Sequence, residues 1–317
     1  AEAGKTQCAQ MLLSGTASGV IGACQVARMA DVRDALSLDI GGTSANVAVV
    51  RRGQPQYGVG EMIGDFPIHI PTVSVTSIGE GGGSIARVDA HGVLKVGPES
   101  AGSNPGPACY GQGGTQPTIT DAFVVTGFLG AMGLGYGQVE MRNEMARDAV
   151  ATIADPLDMS IEGAAEAMIK VGVSGMYLEV SKLVARYGID PREMSLVAFG
   201  GAGPMLACHV ARELNMGRIV IPPTPGVLSA FGGLIADIKN DFIQTVYLDL
   251  EDANMPTIRD GFDKLRAEAL QWLRHEQAFT GAATLLYSAD MRYRGQSFEI
   301  DTLLGEQDIG AGNIAAL

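Results

Sequence analysis

A chain of 317 residues that is 46% hydrophobic and 18% charged can bury a sizeable core and is too apolar to stay disordered. Its net charge of −13, from 22 Lys and Arg against 35 Asp and Glu, excludes a general nucleic-acid binder, which would show a basic stripe. It leaves room for a site that holds one small anion on local backbone dipoles. No run of about 18 apolar residues occurs, so no membrane span is expected.

Glycine is the outlier: 43 residues is nearly twice the usual ~7%. These glycines are not periodic and gather in short clusters between apolar runs. That pattern predicts loops where the backbone turns sharply or approaches a ligand closely. Cys8, Cys24, Cys109 and Cys208 form no C-x-x-C pair and read as reduced, buried packing thiols of a cytoplasmic protein. The first ten residues lack a signal-peptide profile. The chain has no initiator Met and ends at GNIAAL without a closing signal, so it reads as an excerpt of a longer polypeptide.

In chain order, SGTASGVIGACQVARMA (14–30) predicts a helix capped by Ser14 or Thr16, whose small residues would let it lie close to a neighbour. Strands at 35–40 and 45–51 and an extended segment near 55–70 predict an antiparallel meander. Residues 79–115 contain a small hairpin, VDAHGVLKVG, within a long Gly/Pro-rich region that reads as an ordered, ligand-facing loop. From about 120 to 190 the pattern is helical, with one helix in EMARDAVATIA and another at 161–188 that stops at Gly188 before Pro191. A strand at 195–201 feeds a GAGP loop and a helix at about 204–214, followed by a strand at 217–223 and the apolar segment GVLSAFGGLIAD. A strand at DFIQTVYLDL, a polar helix near 255–277 holding Trp272, and strands within 283–303 form a tail poorer in glycine. The expected organisation is a core over 1–240 and a C-terminal α+β segment over 241–317.

Three glycine clusters could carry chemistry. In LDIGGTSANVAVV, Gly41 and Gly42 can turn their N–H groups toward an anion, Thr43 and Ser44 add hydroxyls, and Asp39 could orient water or hold Mg2+ through water. An ordinary Gly-Gly hairpin turn explains the same hexapeptide. GxxxxGK[ST] is absent. SIGEGGGSIA (77–86) is the second cluster, and FGGAGPML (199–206), between a strand and a helix, is the third. An early hairpin loop and a late strand–GG–helix loop together suit a nucleotide clamped between two lobes. Asp121 in TITDAF reads as a helix N-cap, with a substrate or metal contact as the alternative. His69 and His209 read as packed histidines, His91 lies in a turn, and no metal-ligand spacing occurs. MRYRGQSFEI (291–300) reads as an interface strand.

As a set and in this order, SGTASGVIGA, LDIGGTSANVAVV, SIGEGGGSIARVD, VGPESAGSNPGPACYGQGGTQPTITDA, VAFGGAGPMLA and DMRYRGQSFE resemble the hydantoinase A / 5-oxoprolinase family, which includes subunits of acetone and acetophenone carboxylases. The resemblance implies an α/β, actin-like (ribonuclease-H-like) ATPase fold: mixed sheets flanked by helices. It also implies use of ATP with Mg2+ to phosphorylate a lactam or related carbonyl oxygen, and a hydantoinase-B-like partner subunit.

On that resemblance Asp39 and Asp121 become candidate catalytic residues, with Asp39 also facing the metal. Gly41, Gly42, Thr43 and Ser44 would bind phosphate, and Gly200, Gly201 and Gly203 would flank the adenosine. Members carry a second D-x-GGT hairpin, whereas this sequence contains one, so weak ATP binding is implied. Ser14–Gly19 departs from SGPAGG, Asn46 stands where many relatives have Asp, and Thr76 lies close to a common His position. A ketone carboxylase subunit and a non-catalytic actin-like nucleotide-binding module are the alternatives to the cyclic-amide hydrolase.

Overall fold

Six residues, ALSLDI, organise the first unit because both faces of their strand are buried. The structure, a computed structural model, describes residues 14–58, 61–63, 66–68, 72–130, 140–305 and 308–309. The chain divides into two compact units, Ala1–Ala236 and Asp237–Leu317. In the first, α1 (Ser14–Met29) leads into β1 (Ala35–Ile40) and β2 (Ala45–Arg51). Short strands β3 (Gln54–Pro55), β4 (Tyr57–Gly58), β5 (Glu61–Ile63), β6 (Phe66–Ile68), β7 (Thr72–Val73) and β8 (Thr76–Ile78) follow. Then come β9 (Ser84–Val88), β10 (Leu94–Ser100), α2 (Ile119–Val125), α3 (Asn143–Ala154), α4 (Ile161–Arg186), β11 (Ser195–Phe199), α5 (Gly203–Glu213), β12 (Ile219–Val220) and α6 (Leu228–Ile235).

The central sheet runs β12-β11-β1-β2-β3, with β8 also paired to β2. β1 pairs antiparallel with β2 and parallel with β11, and β11 pairs parallel with β12. This mixed sheet with helices on both faces is the actin-like α/β arrangement. Alternation along β1 separates the two cores. Leu36, Leu38 and Ile40 join Phe123 of α2, Met168 and Met176 of α4 and Leu206 of α5. Ala35 joins Ala48, Val197 and Phe199 under Val20 and Cys24 of α1 and Leu228 of α6. Burying a ring such as Phe199 contributes about 1.5–3 kcal/mol.

The small residues of α1 serve close approach, as their spacing suggests. A Cβ on Gly22 would lie 2.8 Å from the Leu228 carbonyl oxygen, and one on Gly232 would coincide with the Ser18 carbonyl oxygen. Ser14 and Thr16 both lie inside α1 (Ser14–Met29), so neither is the cap the sequence suggests; the residue that caps it lies outside the described residues. The long helix α4 is capped by Ser160, whose hydroxyl accepts from Gly163 N, and stops before Gly188 at φ +61, as its sequence predicts for that end. The hairpin at 84–100 is also present, and Asp89 Oδ1 accepts from the amides of His91 and Val93 in its turn.

Three expectations are corrected. Residues 55–70 do not form the third strand of a simple meander: β4 pairs with β7 and β5 with β6, while β3 and β8 share the free edge of β2. The part of that segment at 59–60, 64–65 and 69–70, His69 included, lies outside the described residues. DFIQTVYLDL contains no strand, because a pleated segment needs a partner ladder and none pairs with it among the described residues. Cys24 and Cys109 are buried, and burial pushes the Cys24 thiol up to about 11, but Cys208 is exposed on α5; Cys8 lies outside the described residues.

In the second unit, α7 (Met255–Gln271) continues as a π-turn over Trp272–Glu276, and β13 (Tyr287–Met291) pairs with β14 (Ile300–Leu304). Met255, Leu304 and Ile309 pack with Phe262 and Tyr287 as its small core. MRYRGQSFEI is the connection between β13 and β14 rather than a strand. Its arginines are paired internally, Arg292 with Glu299 at 3.3 Å and Arg294 with Asp249.

The α1–α6 packing is testable. Gly232→Val should destabilise the fold by about 1–3 kcal/mol through overpacking. Gly233→Ala, whose Cβ would meet only the Ser18 hydroxyl at an ordinary 3.6 Å, should be neutral or stabilise by up to about 1 kcal/mol. Denaturant unfolding of the two variants measures both.

Candidate functional site

Parallel pairing brings the carboxyl ends of β1 and β11 side by side, so the turns that follow them meet. After β1, Gly41 N donates to Ser44 O at 3.0 Å and closes the hairpin tip. Gly42 and Thr43 at that tip are exposed, and their amides have no hydrogen-bond partner among the described residues. The hydroxyls of Thr43 and Ser44 are likewise unpartnered there.

The second glycine cluster lies against the back of this tip. Gly82 N donates to Gly41 O at 3.0 Å and Gly83 N to Gly42 O at 2.6 Å. No side chain fits between them: a Cβ on Gly81 would sit 2.9 Å from Gly41 O, and one on Gly83 would sit 2.8 Å from Gly42 O. Gly81–Gly83 therefore brace the hairpin, and all three of their amides are already used, Gly81 N donating to Ser84 Oγ at 2.8 Å. Behind them, Thr120 on α2 donates both its amide and its hydroxyl to Gly82 O, each at 2.7 Å. Residue-by-residue reading missed this brace and Thr120; the signal available was the bare run of three glycines.

The third cluster closes the site from β11. Ala202 N donates to Ile40 O at 2.9 Å, and Gly200 N to Pro225 O at 3.0 Å. Gly200 adopts φ +84, and a Cβ there would run into Asp39 Oδ1 and Ile40 O. Helix α5 then starts at Gly203 with no side-chain cap and no acidic residue in its first turn. Its N-terminal partial positive charge is left uncompensated by the helix itself.

Asp39 is half-buried at the end of β1, and burial pushes its carboxyl above the usual carboxylate range; a hydrogen bond from Ser229 opposes that shift. In register with it stands Asn46, whose Oδ1 accepts from Ser77 Oγ at 2.7 Å. An uncharged amide thus occupies the cross-strand position, where a second carboxylate would repel the first.

The sequence-derived residues separate by geometry. Gly42, Thr43 and Ser44 present open donors, and Gly201 has open space around it. Gly41 spends its amide within the turn. Gly203 is buried against β1, where a Cβ would lie 3.5 Å from Leu38 O, so it serves helix–strand packing.

Asp121 is fully buried and is not the N-cap: Thr118 caps α2, and Asp121 completes a capping box at N3. Its carboxylate accepts from Ala108 N at 3.3 Å, Cys109 N at 2.7 Å, Thr118 N at 2.9 Å and Thr118 Oγ1 at 2.7 Å. It ties the PGPACYG loop to α2, and these bonds account for its position. His209 packs edge-on against Phe128 at 5.8 Å, with burial and Arg212 pushing its pKa down. Among the described residues no group of three or more His, Cys, Asp or Glu could hold a metal. No helix among them is long and apolar enough to cross a membrane.

A family profile described as Hydantoinase/oxoprolinase matches residues 1–242. The chain belongs to that family. The alpha subunit of caprolactamase from Pseudomonas jessenii is 33% identical over 309 residues, covering 96% of this chain and 44% of the relative. The acetophenone carboxylase gamma subunit of Aromatoleum aromaticum is 32% identical over 302 residues, covering 92% of this chain and 41% of the relative. The crystal structure of the ATP-dependent caprolactamase superposes with a TM-score of 0.74 at 29% identity, over 93% of this chain and 44% of that one. A nucleotide-free acetone carboxylase, from work on ATP-dependent acetone carboxylation, gives 0.75 at 27% identity, over 90% and 42%. This hydantoinase/oxoprolinase chain thus spans less than half the length of these relatives.

Three substitutions test the brace, its open neighbour and its anchor. Gly81→Ala should cost about 1–3 kcal/mol by forcing the hairpin tip and the Gly81–Gly83 turn apart, whereas Gly201→Ala should leave stability within about 0.5 kcal/mol. Asp121→Asn puts an amide donor against backbone donors and should cost about 1.5–3 kcal/mol. Thermal and urea unfolding report all three.

Proposed function

We propose that this chain forms the nucleotide-binding part of an ATP-dependent subunit that activates a cyclic-amide carbonyl for hydrolysis. One observation carries the reading: open amides, two hydroxyls and a half-buried carboxylate meet where β1 and β11 end, beside an uncapped helix N-terminus. This donor set fits a polyphosphate, because backbone N–H groups and a helix terminus favour an anion even in a chain of net charge −13. The caprolactamase relative supports the cyclic-amide class, since caprolactam is a lactam and that enzyme is ATP-dependent.

When bound, ATP supplies the phosphoryl group that turns the carbonyl oxygen into an activated ester-like centre. The chain's own residues provide position and charge stabilisation, which is most of what phosphoryl transfer requires. Gly42 and Thr43 amides and the Thr43 and Ser44 hydroxyls hold phosphate oxygens, and Gly201 leaves room beside them. Asp39 would hold Mg2+ through water. The described residues offer no cage for a resident metal, but magnesium carried by a nucleotide needs only one or two carboxylates, with phosphate and water completing its shell. The subunit names of the relatives support a partner subunit; in this reading it is of the hydantoinase-B kind and the pair works in the cytoplasm.

A second reading, an ATP-dependent ketone carboxylase subunit, is favoured by the structural similarity to acetone carboxylase at a TM-score of 0.75. ATP hydrolysis by the intact subunit with its partner separates the two. Stimulation by caprolactam, hydantoin or oxoproline supports the hydrolase; stimulation only by acetone or acetophenone with bicarbonate replaces it with the carboxylase.

Asp39→Asn should abolish substrate-dependent ATP hydrolysis while raising the melting temperature at neutral pH. Burial penalises the ionised Asp39, so its folded pKa lies above the unfolded value. The wild type therefore gains stability relative to the Asn variant as pH falls toward that raised pKa, and the difference between the two melting curves narrows. Unchanged substrate-dependent ATP hydrolysis in the variant would overturn the role given to Asp39.

A further inference from the structure

The opposite end of the same sheet carries a feature that nucleotide chemistry does not use. A cavity of about 170 Å³ lies where α1 ends and β2 turns into β3, lined by Arg28, Asp31, Val32, Arg33, Arg52 and Gly53. β1 separates it from Gly41 by roughly 17 Å, five residue steps of a strand. Three arginines around one cavity is an unusual concentration in a chain of net charge −13.

Their local pairing leaves charge unspent. Arg28 donates to Gln25 Oε1 at 2.8 Å, which does not neutralise it. The guanidinium groups of Arg33 and Arg52 have no hydrogen bond or ion pair among the described residues. Asp34, next in the chain to Arg33, is engaged elsewhere: its Oδ1 accepts from Arg52 N at 2.9 Å and lies 3.8 Å from Arg51 Nε. Asp31 is the single acid that lines the cavity.

The backbone holds these side chains at a cost. Arg52 and Gly53 form the two-residue turn between β2 and β3, with φ of +51 and +71. Such a turn favours Asn, Asp or Gly at its first position, and an arginine in the left-handed region costs roughly 1–2 kcal/mol. Gly53 N donates to Arg33 O at 2.7 Å, and a Cβ on Gly53 would press on Arg28 Cγ at 3.1 Å. The bare Gly53 therefore lets the Arg28 stem lie over the turn. Three chain segments are tied together so that their arginines share one hollow.

We propose that this cavity binds a small, multiply charged oxyanion of the phosphate class. A single carboxylate would be satisfied by one guanidinium fork, whereas three forks suit a tetrahedral dianion with several acceptor oxygens. The volume is several times that of one water, about 30 Å³ in the liquid, and admits such an ion. This site is separate from the glycine turns and does not depend on the reading of their function.

Calorimetric titration of the full chain with inorganic phosphate at constant ionic strength tests it, with malonate as the carboxylate probe. Saturable phosphate binding should persist in Asp39→Asn and weaken by at least about tenfold in the double variant Arg33→Gln/Arg52→Gln. Both arginines are exposed, so the double substitution spares the core. Should it fail to fold, Arg33→Lys/Arg52→Lys keeps the charge and removes the fork: weaker saturable binding supports the site, and unchanged affinity overturns it. No saturable binding, equal binding by wild type and the Gln variant, or malonate binding as tightly as phosphate also overturns it.

Discussion

The architecture around the candidate site depends on one backbone clasp. Gly82 N to Gly41 O and Gly83 N to Gly42 O join two turns that lie some forty residues apart in sequence, and neither bond can form if a side chain intervenes. Because the carbonyls of Gly41 and Gly42 are taken from behind, the peptide planes of the tip are held while the amides of Gly42 and Thr43 remain open. Thr120 then fixes the far side of the clasp by spending two donors on one carbonyl, Gly82 O. Asp121, next to it, anchors the preceding PGPACYG loop through Ala108 N and Cys109 N and the start of α2 through Thr118. The order of dependence runs from the Asp121 cap, through Thr120, to the glycine brace, and last to the hairpin tip.

Topology explains why the third cluster belongs to the same place. Ligands of open α/β sheets gather outside the carboxyl ends of parallel strands, where the turns leave the sheet. Here β1 and β11 are the parallel pair, and Asp39 and Phe199 are register partners on them. The GG turn after β11 must therefore stand beside the hairpin after β1. Gly200 is required at that junction, since any Cβ would run into Asp39 and Ile40. The same contact leaves Asp39 between a bare glycine and Ser229, partly withdrawn from water, and so accounts for its raised pKa.

Much of this was legible in the sequence where periodicity and punctuation agree. β1, β2, β11 and the helices α1, α4 and α5 follow from apolar spacing and, for α4, a Gly stop before Pro191. What was not legible has a common cause: it depends on partners distant in the chain. DFIQTVYLDL has strand composition but no ladder to join, and the 55–70 segment pairs within itself instead of extending the meander. The glycine clusters were visible as glycine, but their division of labour was not. Open amides belong to Gly42 and Thr43, packing to Gly203, and bracing to Gly81–Gly83, a distinction that rests on which carbonyl each N–H meets. Asp121 shows the limit most plainly, since the same T-x-x-D spacing suits a cap, a ligand or a capping box, and only its burial and four donors decide.

The two ends of the central sheet handle charge by different means. At the carboxyl end of β1 the polar groups are peptide dipoles, two hydroxyls and one tuned carboxylate, with a neutral Asn46 across the strand. An aspartate at that position would set two carboxylates side by side, raising the pKa of one and strengthening the grip on a divalent ion. With Asn46, Asp39 has no like-charged neighbour in register across the strand. At the other end the charges are full guanidinium groups, brought together by a left-handed Arg52 and a bare Gly53. Local construction, not the net charge of −13, decides which ions each end can accept.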